Sequence, residues 1–213
     1  MRFRPPRAEP QRIPGPAGVL EALLEDPQAG AAGSGTRVGF GVVCHPHPLY
    51  GGTMTNKVVH TIARSLQEQG LPTLCFNFRG VGQSEGQYDE GRGETEDALA
   101  IVAWGRQRWG KAPLTLAGFS FGAMVALLAA TAAQPARLIT VAPAVKYLLY
   151  SERAPPTCPW LIVQGQADEV VDYREVSAFA ARFSPSPVLR LLPDTDHFFH
   201  GHLPELRAAL LQF

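Results

Sequence analysis

The chain has 213 residues, 46% of them hydrophobic, and its 19 basic residues are matched by 19 acidic ones. That length suits one compact domain with a sizeable core and is short for two. The charge balance leaves no basic excess to follow a nucleic-acid backbone or an anionic membrane surface, and it is compatible with a small neutral partner molecule. No run approaches the roughly 18 apolar residues of a membrane span, and Met1 to Pro6 lacks the apolar stretch of a secretory signal, so a cytoplasmic location is expected. Cys44, Cys75 and Cys158 are widely spaced, form no CxxC pair, and read as free thiols rather than a disulfide framework or zinc site.

In chain order, the first seventeen residues contain five prolines and several arginines. Such a composition resists helix and ladder formation, so residues 1–17 are expected to form an extended arm, with the folded domain over 18–213. Gly18 to Asp26 reads as an early strand and Ala29 to Gly35 as a Gly/Ala/Ser loop. From Arg37 onward apolar runs alternate with helical segments. Val38 to Cys44 is followed by a helix over Thr55 to Gln69, then Leu71 to Asn77 by a helix over Gly93 to Arg108. The strand Leu114 to Ala117 then leads into a helix over Phe121 to Ala133. Two further runs, Leu138 to Val141 and Trp160 to Val163, precede a helix over Tyr173 to Phe183 and a last strand over Val188 to Leu192. Strands apolar on both faces and separated by helices predict an α/β fold with a mostly parallel central sheet covered on both sides. Function in such sheets gathers at the carboxyl ends of the strands. The helix from Phe121 to Ala133 is apolar almost all round, which places it in the middle of the molecule.

Gly118-Phe119-Ser120-Phe121-Gly122 lies between that helix and the strand before it. A serine hydroxyl is a poor nucleophile at neutral pH, so acyl transfer needs it raised on a sharp turn, near a base and beside amide donors. Glycines at 118 and 122 leave room for such a turn, and Ser120 is the expected nucleophile. An acid and then a histidine should follow in sequence. Asp168 comes just after the strand ending at Gly165 and is preferred over Glu169 and Asp172. His197 comes just after the last strand and is the expected general base, whereas His200 and His202 approach the final helix. Asp168 would fix the imidazole tautomer while the other ring nitrogen takes the Ser120 proton. Phe121 is expected to give one oxyanion-hole amide. The second should come from His45-Pro46-His47-Pro48-Leu49-Tyr50-Gly51-Gly52, where the prolines have no N–H; Leu49 is preferred, with His47 and Tyr50 as alternatives.

These segments, together with Asn77-Phe78-Arg79-Gly80-Val81-Gly82-Gln83-Ser84, resemble the α/β-hydrolase superfamily along nearly the whole chain after the arm. The last segment is similar to an Asp-x-Arg-Gly-x-Gly-x-Ser turn of that superfamily, with Asn77 in place of the acid, and its role there is architectural. The HPHPLYGG form is similar to small bacterial hydrolases near the dienelactone-hydrolase and serine-aminopeptidase-like branches, in which the position matching Leu49 donates its amide. Larger members insert a lid after the strand ending near Val141, but Ala142 to Pro159 is too short for a multi-helix cap. A lidless site walled by Tyr50, Phe121, Tyr147, Leu148 and Phe198 is therefore expected.

The resemblance implies a serine hydrolase acting without metal or cofactor on a small ester or related acyl compound, through an acyl-enzyme. Serine aminopeptidase, thioesterase and lactone hydrolase share the same machinery. An aminopeptidase would need an acid near the nucleophile, and Glu85, Asp89 and Glu90 are within sequence reach. Two other readings compete: a zinc centre assembled from His45, His47, His197, His200 and His202, and a small-ligand-binding protein of the same fold without turnover.

Overall fold

The computed structural model describes residues 8–27, 39–146 and 156–213. Eight strands form one sheet: β1 (Ala8–Gly15), β2 (Gly18–Glu25), β3 (Phe40–Cys44), β4 (Thr73–Phe76), β5 (Leu114–Phe119), β6 (Arg137–Val141), β7 (Trp160–Gly165) and β8 (Val188–Leu192). Their order across the sheet is β1-β2-β4-β3-β5-β6-β7-β8. β1 and β2 form an antiparallel hairpin, β2 runs antiparallel to β4, and every pairing from β4 to β8 is parallel.

Strand residues alternate between two apolar layers because successive side chains point to opposite faces. Val42, Leu116, Leu138 and Ile162 enter one core, and Val43, Ala117, Ile139 and Val163 the other. Helices α2 (Arg92–Trp109), α3 (Phe121–Ala133) and α4 (Tyr173–Ala180) cover the first core, and α1 (Lys57–Glu68) and α5 (Leu203–Leu211) the second. Helix α3 begins and ends where its apolar run does, and eleven of its residues are buried. Side chains cap the ends: Asn56 accepts from the Val58 amide at the start of α1, and Asp172 from the Arg174 amide at the start of α4. Helix α4 stops at Ala180, three residues short of the predicted end, and Phe183 instead packs against Trp160 and Phe179 with centroids about 5 Å away.

The expected arm does not hold for Ala8–Gly15, which pairs with β2 along its whole length. Pro10 and Pro14 are four residues apart and so share one edge of the strand. β1 is the sheet's outermost strand, and a missing N–H on the open edge breaks no ladder bond. Ile13 opposite Leu20 supplies the buried contact, each 1% exposed. Among the described residues no helix is long and apolar enough to cross a membrane.

Candidate active site

Ser120 sits between β5 and α3 with φ 55° and ψ −116°, a left-handed conformation costly for any residue with a β-carbon. The surrounding backbone holds it there. Its N–H donates to Val141 O at 2.9 Å and its carbonyl accepts from Ala144 N at 3.3 Å, fastening the turn to the end of β6. The flanking glycines are required by close approach: a β-carbon at Gly118 would lie 2.1 Å from Gly122 O, and one at Gly122 2.3 Å from His45 O. The turn is thus wedged against the end of β3 as well.

The ends of two further parallel strands, β7 and β8, bring the other expected residues to this serine. His197 Nε2 lies 3.1 Å from Ser120 Oγ, and His197 Nδ1 lies 2.8 Å from Asp168 Oδ2. Ser120 and His197 are buried, and only a narrow face of each reaches the surface. The Asp168 loop is tied to the His197 loop through Ala167 N to Thr195 O at 3.0 Å, and Gly165 permits this approach, since a β-carbon there would lie 2.2 Å from Thr195 O. Phe119 and Phe198 flank the imidazole, each with a ring centroid 5.1 Å away.

Burial disfavours the charge on Asp168, but hydrogen bonds from His197 and the Val171 and Val170 amides outweigh it and hold the carboxyl below its ordinary value. The two amides take Oδ1, at 2.7 and 2.9 Å, and Gln164 Nε2 joins His197 on Oδ2 at 2.9 Å. An ionised carboxylate only accepts, so Nδ1 carries the imidazole hydrogen and Nε2 presents its lone pair to Ser120. Glu169 reaches only the His197 backbone, its Oε2 lying 3.4 Å from that N–H, and Asp172 is the cap of α4.

The cleft above Ser120 has a volume of about 420 Å³ and is lined by Pro46, His47, Tyr50, Gly51, Gly52, Asn56, Ser120, Val170, His197 and Phe198. Of the residues named for the wall, Tyr50 and Phe198 line this cleft, Phe121 is buried, and Tyr147 and Leu148 lie outside the described residues. Val170 and Asn56 were not anticipated; neither carries a signal in the sequence, because each reaches the cleft only through its loop or helix end. No carboxylate lines the cleft among the described residues. Glu85 instead accepts the Val19 amide, and Asp89 and Glu90 pair with Arg92.

The expected donor Leu49 is placed differently. Its N–H points to His47 Nδ1 at 3.2 Å within the short turn Pro48–Tyr50, and its side chain projects into solvent. The physical reason is local: the imidazole two residues back caps the turn by accepting from that amide. His47 lies against the rings of Tyr50, Tyr88 and Phe121, and partial burial lowers its pKa. His45 is fully buried. Its Nδ1 donates to Pro46 O and its Nε2 accepts from Phe78 N at 3.0 Å, joining the loop after β3 to the turn after β4. Asn77 on that turn accepts from Met54 N and donates to Glu21. Among the described residues no group of three or more histidine, cysteine or acidic side chains is placed to hold a metal; His200, for one, pairs with Asp196.

The family model described as serine aminopeptidase, S33, matches residues 43–158. An uncharacterized protein of Rickettsia prowazekii is 33% identical over 206 residues, spanning 92% of this chain and 84% of that protein. A lidless α/β serine hydrolase of Xanthomonas campestris is 40% identical, with TM-score 0.92 over 100% of this chain and 95% of the other. A serine hydrolase homologue from Coxiella burnetii is 44% identical, with TM-score 0.90 over 99% of both chains. The chain belongs to the serine aminopeptidase S33 family and is a small, lidless serine hydrolase of the α/β-hydrolase fold.

Proposed function

We propose that the chain hydrolyses small carboxylic esters through an acyl-enzyme on Ser120, with His197 as general base and Asp168 as the acid that orients it. The observation that carries this reading is the unbroken hydrogen-bond chain from Ser120 Oγ through the imidazole to an ionised Asp168 at the floor of an open cleft. Oγ attacks the ester carbonyl while its proton passes to His197 Nε2, which returns that proton to the departing alkoxide. A water then attacks the acyl carbon by the same route and frees the carboxylic acid. The Phe121 amide heads α3 and has no partner within its helix, so it is directed at the developing oxyanion. The His47 amide, on a cleft residue two positions before Leu49, takes the place of the Leu49 amide in this scheme.

Esters are favoured over aminoacyl amides because no described cleft residue carries the negative charge that would hold a substrate ammonium. An uncovered cleft of this volume suits short acyl groups. The test has two parts. A fluorophosphonate should form its adduct on Ser120, located by mass spectrometry, and Ser120→Ala should lose both label and activity; an unlabelled Ser120 in folded protein would favour ligand binding without turnover. Short-chain p-nitrophenyl esters should turn over faster than long-chain esters and aminoacyl amides. Faster turnover of the amides would replace the esterase reading with an aminopeptidase one.

A further inference from the structure

We propose that Gln164 is a positioning residue for Asp168, holding the carboxylate in the orientation that serves His197; this rests on the reading of Ser120, His197 and Asp168 given above. Gln164 is a polar residue in a strand whose six residues are all buried, and its own exposure is 0%. Its Nε2 faces three acceptors: Asp168 Oδ2 at 2.9 Å, Gly165 O at 3.1 Å and Val171 O at 3.1 Å. Its Oε1 is buried without a hydrogen-bond partner among the described residues. The amide therefore has one workable orientation, because a flip would set its oxygen against three others. An orphaned buried acceptor is destabilising, and an apolar residue in this strand would avoid it. What the glutamine adds is a donor on the same Asp168 oxygen that receives His197 Nδ1, while Oδ1 is held by the Val170 and Val171 amides. The carboxylate is thus gripped at both oxygens and cannot turn without breaking a bond. With one hydrogen directed at Asp168, the second is shared between Gly165 O and Val171 O, which stand at the two ends of the loop that carries Asp168. Among the described residues, the other titratable groups hydrogen-bonded into this cluster are His197 and Glu169, the latter on the His197 backbone.

The experiment follows the rate of fluorophosphonate bond formation at Ser120 against pH, expressed per labelled chain so that misfolded molecules do not count. Gln164→Met keeps the length and removes both hydrogens. Its plateau rate is expected to fall about 10- to 100-fold through misplacement of the acid. Its acid limb is expected to move up by about half a unit or more, because Oδ2 with one donor fewer holds more charge for the imidazolium. Gln164→Glu has the same size and, buried against a carboxylate and two carbonyls, is expected to stay protonated and offer one hydrogen, so its plateau rate should exceed that of Gln164→Met. A wild-type plateau and limb in Gln164→Met overturn the proposal, as does a Gln164→Glu plateau no higher than that of Gln164→Met. Wild-type protein that takes no label on Ser120 overturns the underlying reading and this proposal together, whereas labelled wild type with indifferent variants overturns the proposal alone.

Discussion

Replacing Asp168 by asparagine changes one atom of the site, and the surrounding bonds dictate which way the new side chain must lie. Oδ1 receives two amide hydrogens, from Val170 and Val171. The asparagine oxygen is drawn to them and its NH2 is placed where Oδ2 now accepts from Gln164 and His197. A donor then faces two donors. The imidazole can relieve this by moving its hydrogen to Nε2, which turns a lone pair toward the asparagine and an N–H toward Ser120. In that tautomer His197 cannot accept the serine proton. The expected loss in kcat is about 10⁴-fold, the scale on which neutralising such an acid acts, or about 5.5 kcal/mol in the barrier. The assay is kcat and KM on p-nitrophenyl acetate, with circular dichroism and thermal melting to verify an intact fold. Because the asparagine touches no substrate, KM should change little. A kcat within about tenfold of wild type in folded protein would refute the reasoning and move the role to Glu169 or Asp172.

Four further outcomes are expected. Gly122→Ala sets a β-carbon within 2.3 and 2.4 Å of the His45 and Cys44 carbonyl oxygens, so denaturant unfolding should show a loss of about 1–3 kcal/mol and Ser120 should label more slowly. Asp97→Ala strips the buried Arg79 of its buried carboxylate partner, whose Oδ1 lies 2.8 Å from Nη2, and leaves it the exposed Glu96 at 3.5 Å; urea unfolding should show a loss of about 3–5 kcal/mol, with the labelling rate of the folded fraction retained. His45 titrates at about 4 instead of 6.5 because burial opposes its charge more than the Pro46 carbonyl supports it. Between those values the unfolded chain binds a proton that the folded chain refuses. Stability is therefore full above pH 6.5 and falls as the pH drops toward 4, by about 3 kcal/mol from this group. His45→Gln lacks that titration, so a wild-type dependence parallel to the variant's would contradict the assignment. Finally, chelation should leave ester hydrolysis unchanged, and activity lost to a chelator and restored by zinc would overturn the serine mechanism.

The apolar rim of the cleft follows from the missing lid. Tyr50, Val170 and Phe198 are large, exposed and apolar, and they stand together around Ser120 rather than scattered over the surface. A bound apolar group of a substrate would cover them, so part of its binding energy is expected to come from this rim.

Much of this was legible in the sequence for reasons that are local. A helix apolar all round has to be central, which fixed Phe121–Ala133 and its place beside the sheet; glycines at 118 and 122 marked a turn that no β-carbon could share. The order of Ser120, Asp168 and His197 followed from which strands end before them. The misreadings arose where pairing across the chain outweighed composition. Five prolines argued against a strand at the N-terminus, yet two of them fall on an open sheet edge where an N–H is not needed. Leu49 followed two residues without an N–H and looked available, until the His47 ring folded back onto its amide. Gln164 offered a faint signal, a polar side chain ending an apolar strand, but its acceptors lie one, four and seven residues ahead on a loop whose path the sequence does not state. Local sequence determined the elements, the turn and the order of the candidate residues, because these depend on periodicity and on steric room along the chain. Only the tertiary structure decided which strand the N-terminal prolines edge and which atoms grip Asp168, because those depend on how separate segments meet.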